Sequence, residues 1–384
     1  MIDTTFEMPN KEPTLLDMFA QCPAGLEKLL EKELAPIADV LHRTQGGVSI
    51  SGDMGTLVKL NLYSALATRV LVRIATFRAH NLSQLYKKAS SINWEPWIRA
   101  GTKVKIHATC SGSIIYHTKA AQQRVQQALA NYTKAALCSK DRDPDLMIHV
   151  RIRKNTCTIS LDSSGQPLWQ RGQRREVSVA PMRPNLAAAA LQLVGFGPEQ
   201  TLLDPMCGSG TIVIEALRIT NHQPPGIGRS FAFEKWPLFQ PRILEQELRL
   251  VTKAPRADSI SIFASDLSPG AVGMTRRNLK RIGMEDAVLL QRKDLANLIP
   301  PTPTGIWICN PPYGKRLSSK SKVRNLYRTI GRVYSENFRS WRLALLSPDP
   351  ELVAATGLAL KNIGPSMAHG GLRLRVYQTG PSHR

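Results

Sequence analysis

The run Leu202-Leu203-Asp204-Pro205-Met206-Cys207-Gly208-Ser209-Gly210-Thr211 decides the fold of the C-terminal half of this 384-residue chain. Two apolar residues and an acid end a strand, a glycine-rich turn follows, and a helix opens that continues through Glu215. In an open α/β sheet such a turn is where a ligand settles. Backbone can approach closely at glycines, and the helix N-terminus offers unpaired N–H groups. A dinucleotide fingerprint would need a third glycine at position 213, where Val213 stands, and Asp204 beside the turn would repel a pyrophosphate. S-adenosylmethionine, with cationic amino and sulfonium groups and no phosphate, suits the acid better. Asp204, Pro205, Cys207, Gly208, Gly210 and Thr211 are therefore the expected cofactor contacts; a bare tight turn is the plainer alternative.

Outward from this turn, short apolar runs alternate with helical patterns: Thr201–Leu203, Ile260–Ala264, Val288–Gln291, Ile306–Cys309, Leu343–Leu346 and Leu372–Gln378. Such alternation predicts a doubly wound α/β sheet, introduced by the helix-forming run Leu186–Leu191. Asp266, followed by Leu267, ends the second strand and could accept both ribose hydroxyls; Asp294 follows the third and could accept from the adenine amine. Either acid could instead cap a helix.

A second constellation, Asn310-Pro311-Pro312-Tyr313-Gly314, follows the strand Ile306–Cys309. Consecutive prolines fix φ and hold the preceding residue extended, so the Asn310 side-chain oxygen and Pro311 carbonyl become a rigid pair of acceptors. Tyr313 adds a flat surface. That set suits an exocyclic amine on a planar base, whose lone pair is delocalised until its hydrogens are gripped. Asn310, Pro311, Pro312 and Tyr313 are the expected catalytic residues, with Asn310 also facing the cofactor. Lys315, Arg316, Lys320, Lys322, Arg324 and Arg328 follow; each could hold a phosphate or simply face solvent.

The charge supports a polyanionic partner. Lys and Arg number 51 against 29 Asp and Glu, a net +22. Residues 1–60 hold 5 basic and 9 acidic side chains, residues 61–180 hold 19 and 6, and residues 181–384 hold 27 and 14. No apolar run approaches the ~18 residues of a membrane span, so a soluble cytoplasmic protein is expected. The six cysteines are scattered without CxxC pairs, which argues against a disulfide framework or a zinc site; no metal is expected.

The N-terminal half is patterned differently. Residues 1–13 are polar, with Pro9 and Pro13, and suggest a disordered leader. Leu26, Leu29, Leu30 and Leu34 predict a short helix, Val48 and Ile50 a strand, Leu57 to Leu66 a second helix and Val70–Ile74 a second strand. Lys103–Ala108 alternates cationic with apolar residues, and a long helix is expected over Thr118–Leu137. Ile148, Val150 and Ile152 alternate with His149, Arg151 and Arg153; Lys154-Asn155 supplies a turn, and Cys157, Ile159 and Leu161 continue the apolar face. The opposite face of that hairpin is basic.

Asp204–Thr211 together with Asn310–Gly314 resembles the Rossmann-like methyltransferases of exocyclic base amines. Leu186–Ala189, the hairpin end Ile159–Gly165 and Leu168-Trp169-Gln170-Arg171-Gly172 are similar to THUMP-containing RNA guanine-N2 methyltransferases, and Phe19–Leu30 with Gln45–Val48 to that family's ferredoxin-like segment. The aromatic stretch Pro224–Phe239, with Trp236, resembles the bacterial 23S ribosomal RNA branch. With the polar leader over 1–13 and a basic, Gly/Pro-containing linker over 166–180 read from composition, the likeness implies a ferredoxin-like segment over 14–79, a THUMP domain over 80–165 and a methyltransferase domain over 181–384. It further implies S-adenosylmethionine as donor and a guanine N2 in 23S rRNA as acceptor. Relatives commonly carry an acid where this chain has Pro184-Asn185, so no cofactor contact is carried onto position 184. Three alternatives stand beside this reading: a tRNA guanine-N2 enzyme, a non-catalytic RNA-binding assembly factor and a DNA adenine-N6 methyltransferase.

Overall fold

The computed structural model describes residues 15–133, 136–137, 144–172, 182–252, 261–313 and 320–380. The expected leader 1–13, the linker residues 173–180, and Gly314, Lys315 and Arg316 lie outside them.

Period-2 alternation builds the N-terminal half. Its elements are β1 (Leu16–Gln21), α1 (Glu27–Leu34), β2 (Asp39–Thr44), β3 (Gly47–Gly52), α2 (Met54–Tyr63), β4 (Arg69–Arg78), α3 (Leu82–Ser90), β5 (Lys103–Ser111), α4 (Thr118–Thr133), β6 (Ala136–Leu137), β7 (Leu146–Arg153) and β8 (Thr156–Asp162). The strands form one eight-stranded sheet in the order β2-β3-β1-β4-β8-β7-β5-β6. Antiparallel pairing of β4 with β8, from Leu71 opposite Asp162 to Arg78 opposite Thr156, joins the ferredoxin-like and hairpin-bearing stretches into a single sheet. Along β5, Val104, Ile106 and Ala108 are buried while Lys103, Lys105, His107 and Thr109 are exposed. Leu30 and Leu34 of α1, Leu57 and Leu60 of α2, Leu85 of α3 and Val125 and Leu129 of α4 join that buried face in one core. The hairpin turn falls at Lys154-Asn155, both with positive φ, 49° and 61°, as a tight two-residue turn requires.

Two helix ends differ from the sequence reading. Leu66 lies beyond α2, which stops at Tyr63 with Ser64 in extended geometry. The long helix ends at Thr133 rather than Leu137, because Ala136–Leu137 pair with Lys103 and Val104 at the sheet edge. Tertiary pairing there outweighs a helix-favouring composition.

The C-terminal half comprises α5 (Pro184–Leu193), β9 (Leu202–Asp204), α6 (Thr211–Thr220), α7 (Pro241–Thr252), β10 (Ile262–Asp266), α8 (Pro269–Arg281), β11 (Val288–Arg292), β12 (Ile306–Cys309), α9 (Lys320–Asn337), β13 (Arg342–Ser347), α10 (Pro350–Ala354), β14 (Leu360–Asn362), β15 (Met367–His369) and β16 (Leu372–Thr379). Its sheet runs β11-β10-β9-β12-β13-β16-β14, parallel from β11 to β13, with β16 antiparallel to β13. Both faces are covered. Ile306 and Ile308 enter the core that holds α5 and α6, whereas Trp307 and Cys309 enter a second core with Tyr327, Val333 and Phe338. In α9, a Cβ at Gly331 would stand 1.7 Å from the Thr356 carbonyl oxygen, so only glycine permits that approach.

A buried ion pair ties the halves together. Arg171, 1% exposed, donates Nε and Nη2 to the two oxygens of Glu215 on α6 at 3.1 and 2.9 Å. It also donates to the carbonyls of Leu168 and Ala65. The stretch after α6 docks on the N-terminal half: Trp236 meets Trp97 edge-on at 5.2 Å, and Leu238 N–H donates to Pro96. No helix of the described residues is long and apolar enough to cross a membrane.

Candidate active site

The chain leaves β9, winds outward through β10 and β11, and returns to the other side of β9 as β12. The reversal lies between β9 and β12, and in open sheets ligands bind beyond the carboxyl ends of strands at such a point. Asp204 ends β9, Asp266 ends β10, and Asn310 follows β12 directly. Topology thus brings together two motifs about a hundred residues apart in the chain.

The loop after β9 is held by backbone and by α8. Cys207 N–H donates to the Ser265 carbonyl at 3.0 Å, and Gly208 N–H to Asp266 Oδ2 at 3.1 Å. Gly208 and Gly210 take φ of +58° and +81°, which side-chain-bearing residues rarely adopt. At Gly208 a Cβ would meet nothing within 4 Å, so the backbone faces open space. Thr275 Oγ1 donates to the Gly208 carbonyl at 2.9 Å, and Asn278 donates to the Ser209 carbonyl at 3.0 Å. Sequence reasoning missed Thr275 and Asn278. Their signal was two polar residues at i and i+3 on a buried helix face, both fully enclosed.

Asp204 is 1% exposed. Burial, opposed by the Met206 N–H and reinforced by the Asp266 charge, pushes its carboxyl up to about 8. A buried acid so disfavoured as an anion is primed to accept a cationic partner. Thr211 is buried at the first turn of α6, after Pro205 and Cys207 complete the loop. Burial also raises the Cys207 thiol well above its usual range, so it is no thiolate nucleophile.

Asp266 accepts from Ser268 N–H at 2.9 Å as well as from Gly208, bracing the loop. Leu267 is 60% exposed at the rim. Asp294 is exposed, and its Oδ1 caps a short 3-10 turn by accepting from Ala296 N–H at 2.9 Å. Beyond β12, Asn310 Oδ1 is buried with no hydrogen-bond partner among the described residues, as is Ser265 Oγ. Buried amide oxygens are ordinarily hydrogen-bonded, so this one is open to a water or to a ligand. Pro311 is buried and Pro312 half-buried. Tyr313 is 4% exposed, its ring part of the core, so stacking on a base requires that ring to be uncovered.

Residues 171–368 match the family described as RMKL-like, methyltransferase domain; residues 17–71 match the RlmL ferredoxin-like domain and residues 79–162 the THUMP domain. A Synechocystis sp. PCC 6803 protein provisionally named an RNA methyltransferase is 31% identical over 92% of this chain and 94% of its own length. The ribosomal RNA large subunit methyltransferase K/L of Hahella chejuensis is 33% identical over 89% of this chain. This chain spans 50% of that longer protein. The crystal structure of SMU.472 complexed with SAH superposes with a TM-score of 0.86 at 27% identity, covering 96% of this chain and 98% of that one.

Proposed function

Because the chain belongs to the RMKL-like methyltransferase family, we propose that it methylates the exocyclic N2 amine of a guanine in 23S ribosomal RNA, with S-adenosylmethionine as donor. The observation that supports this is that the neighbouring strands β9 and β12 end in a buried acid and, directly after, an amide oxygen with no hydrogen-bond partner among the described residues.

The residues present fit the donor. Its cationic amino end suits Asp204, the open space at Gly208 admits it against backbone, and Asp266, at the end of the adjacent strand, is the acid assigned to its ribose. Pro205, Cys207, Gly210 and Thr211 shape that loop, Leu267 covers its rim, and the remaining oxygen of Asp294 is left for the adenine amine. When bound, the donor supplies an electrophilic methyl group on a sulfonium. The Asn310 side-chain oxygen and the Pro311 carbonyl accept the hydrogens of the incoming amine and localise its lone pair. Pro312 keeps those acceptors rigid, and Tyr313, once uncovered, stacks on the base. Positioning of this kind supplies up to roughly 7–11 kcal/mol of the barrier. The base must be unpaired or flipped to reach the pocket.

The test is to incubate the protein and methyl-labelled donor with undermodified ribosomal RNA, with tRNA and with DNA, then to map the methyl group. Label on guanine N2 of 23S rRNA is expected. Label confined to tRNA, or to adenine in DNA, overturns the assignment.

A further inference from the structure

Helix α8 buries Ala271, Val272, Thr275, Asn278 and Leu279, one stripe at helical spacing. Thr275 and Asn278 are fully enclosed. A polar side chain is stable in such a place only when its hydrogen bonds are made. Both reach across to the loop after β9 and take two consecutive carbonyls, Gly208 at 2.9 Å and Ser209 at 3.0 Å. An apolar pair would fill the same space without the cost of desolvation, so the hydroxyl and the amide are there for the loop.

Both polar groups of Gly208 are held by one body. Its N–H donates to Asp266 Oδ2 at 3.1 Å, its carbonyl accepts from Thr275 Oγ1, Asp266 Oδ1 accepts from Ser268 N–H at 2.9 Å, and Ser268 caps α8. The circuit from Gly208 through Asp266, Ser268 and α8 back to Gly208 is closed. Trans peptides are planar, so a carbonyl turned toward α8 turns the next N–H, that of Ser209, away from it. Gly210 lies on the same side chain: a Cβ there would stand 3.0 Å from Thr275 Cγ2 and 3.1 Å from its Oγ1, so loop and helix touch without slack. Asn278 is oriented from behind. Its Oδ1 accepts from Arg281 Nη1 at 3.0 Å, which leaves Nδ2 to face the Ser209 carbonyl. Thr211 opens α6 directly after this loop, so the place where the helix N-terminus meets the donor depends on where α8 holds residues 208 and 209.

We propose that Thr275 and Asn278 are positioning residues for S-adenosylmethionine: enclosed themselves, they set from beneath the backbone of residues 208–210 against which the donor lies. The proposal rests on the reading of the chain as an S-adenosylmethionine-dependent methyltransferase. The full chain would be prepared as wild type and as three variants. Thr275→Val keeps the shape and deletes the hydroxyl, Thr275→Ser restores it, and Asn278→Asp keeps the acceptor for Arg281 while replacing the donating nitrogen by an oxygen. Thermal midpoints would set a temperature at which every variant is folded, and S-adenosylmethionine affinity would be measured there by calorimetry without RNA. Thr275→Val and Asn278→Asp are expected to weaken the donor about tenfold, the scale of one lost buried hydrogen bond, with Thr275→Ser close to wild type. In the donor-free chain, hydrogen exchange over residues 204–211 should quicken in the two weakened variants. On undermodified ribosomal RNA, donor KM should rise with the calorimetric loss while kcat and the RNA KM hold, the pattern of uniform binding removed. Wild-type donor affinity in both Thr275→Val and Asn278→Asp, or a Thr275→Ser no better than Thr275→Val, overturns the proposal. A wild-type chain that binds no donor overturns the methyltransferase reading as well, so the two failures are distinguishable.

Discussion

The two eight-stranded sheets of this molecule use their strands in opposite ways. In the N-terminal sheet β5 and β7 alternate buried and exposed residues, Val104 against Lys105 and Ile152 against Arg153. In the C-terminal sheet β9 and β12 are buried at every position. A sheet covered by helices on both faces has no solvated side, so its side chains go to two cores and its chemistry moves to the strand ends. A sheet covered on one face keeps the other for contact. The difference teaches where each half can act: the largely parallel sheet at the carboxyl ends of its strands, the mixed one-sided sheet across its surface.

The sharpest way to break that division is Asn310→Ala. Methyl transfer should fall about a thousandfold, the scale of losing one preorganised polar contact to the reacting group, while RNA affinity by filter binding stays near wild type. Equal losses in both would mean that the strand end also carries RNA binding.

Arg171→Ala tests whether the halves stand apart. It leaves Glu215 enclosed without its two guanidinium hydrogen bonds, with Arg218 Nε at 3.8 Å as its remaining cation, and breaking a buried pair from one side costs about 3–5 kcal/mol. Chemical denaturation should show that loss, and Glu215→Leu, which takes the carboxylate from both Arg171 and Arg218, should cost at least as much. A single variant as stable as wild type would remove the pair as the clamp.

Ile308→Ala should destabilise by about 2–5 kcal/mol, since it opens a cavity in a sheet packed on both sides. Donor affinity, followed by calorimetry, should rise about tenfold between pH 6 and pH 7. Asp204 becomes an anion only as pH climbs toward about 8, and the anion is the form that pairs with the donor's ammonium. Asp204→Asn should abolish that dependence and weaken binding. The smallest effect belongs to the open face, where Thr158→Ala should change stability by under about 0.5 kcal/mol. A large loss there would show that the face is structural after all.

Much of this was legible in the chain. The glycines at 208 and 210 announced the loop because only glycine adopts its φ cheaply, and the alternation of 146–153 announced a one-sided strand because side chains repeat every two residues. The sequence could not separate a helix from an edge strand at Ala136–Leu137, where the decision came from Lys103 and Val104 more than thirty residues earlier. Nor could it place Thr275 and Asn278 beneath the glycine loop, or show that Asp294 would spend one oxygen on Ala296 N–H.

The sequence by itself determined the parallel sheet, its two motifs and the basic face of the hairpin, because these depend on periodicity and on residues with restricted backbones. Only the tertiary structure decided that Asp204 and Asn310 share one edge, that Arg171 meets Glu215, and that Phe19, Arg73 and His149 lie on one face. Those juxtapositions depend on strand order and register, which are set by packing between distant segments rather than by local preference.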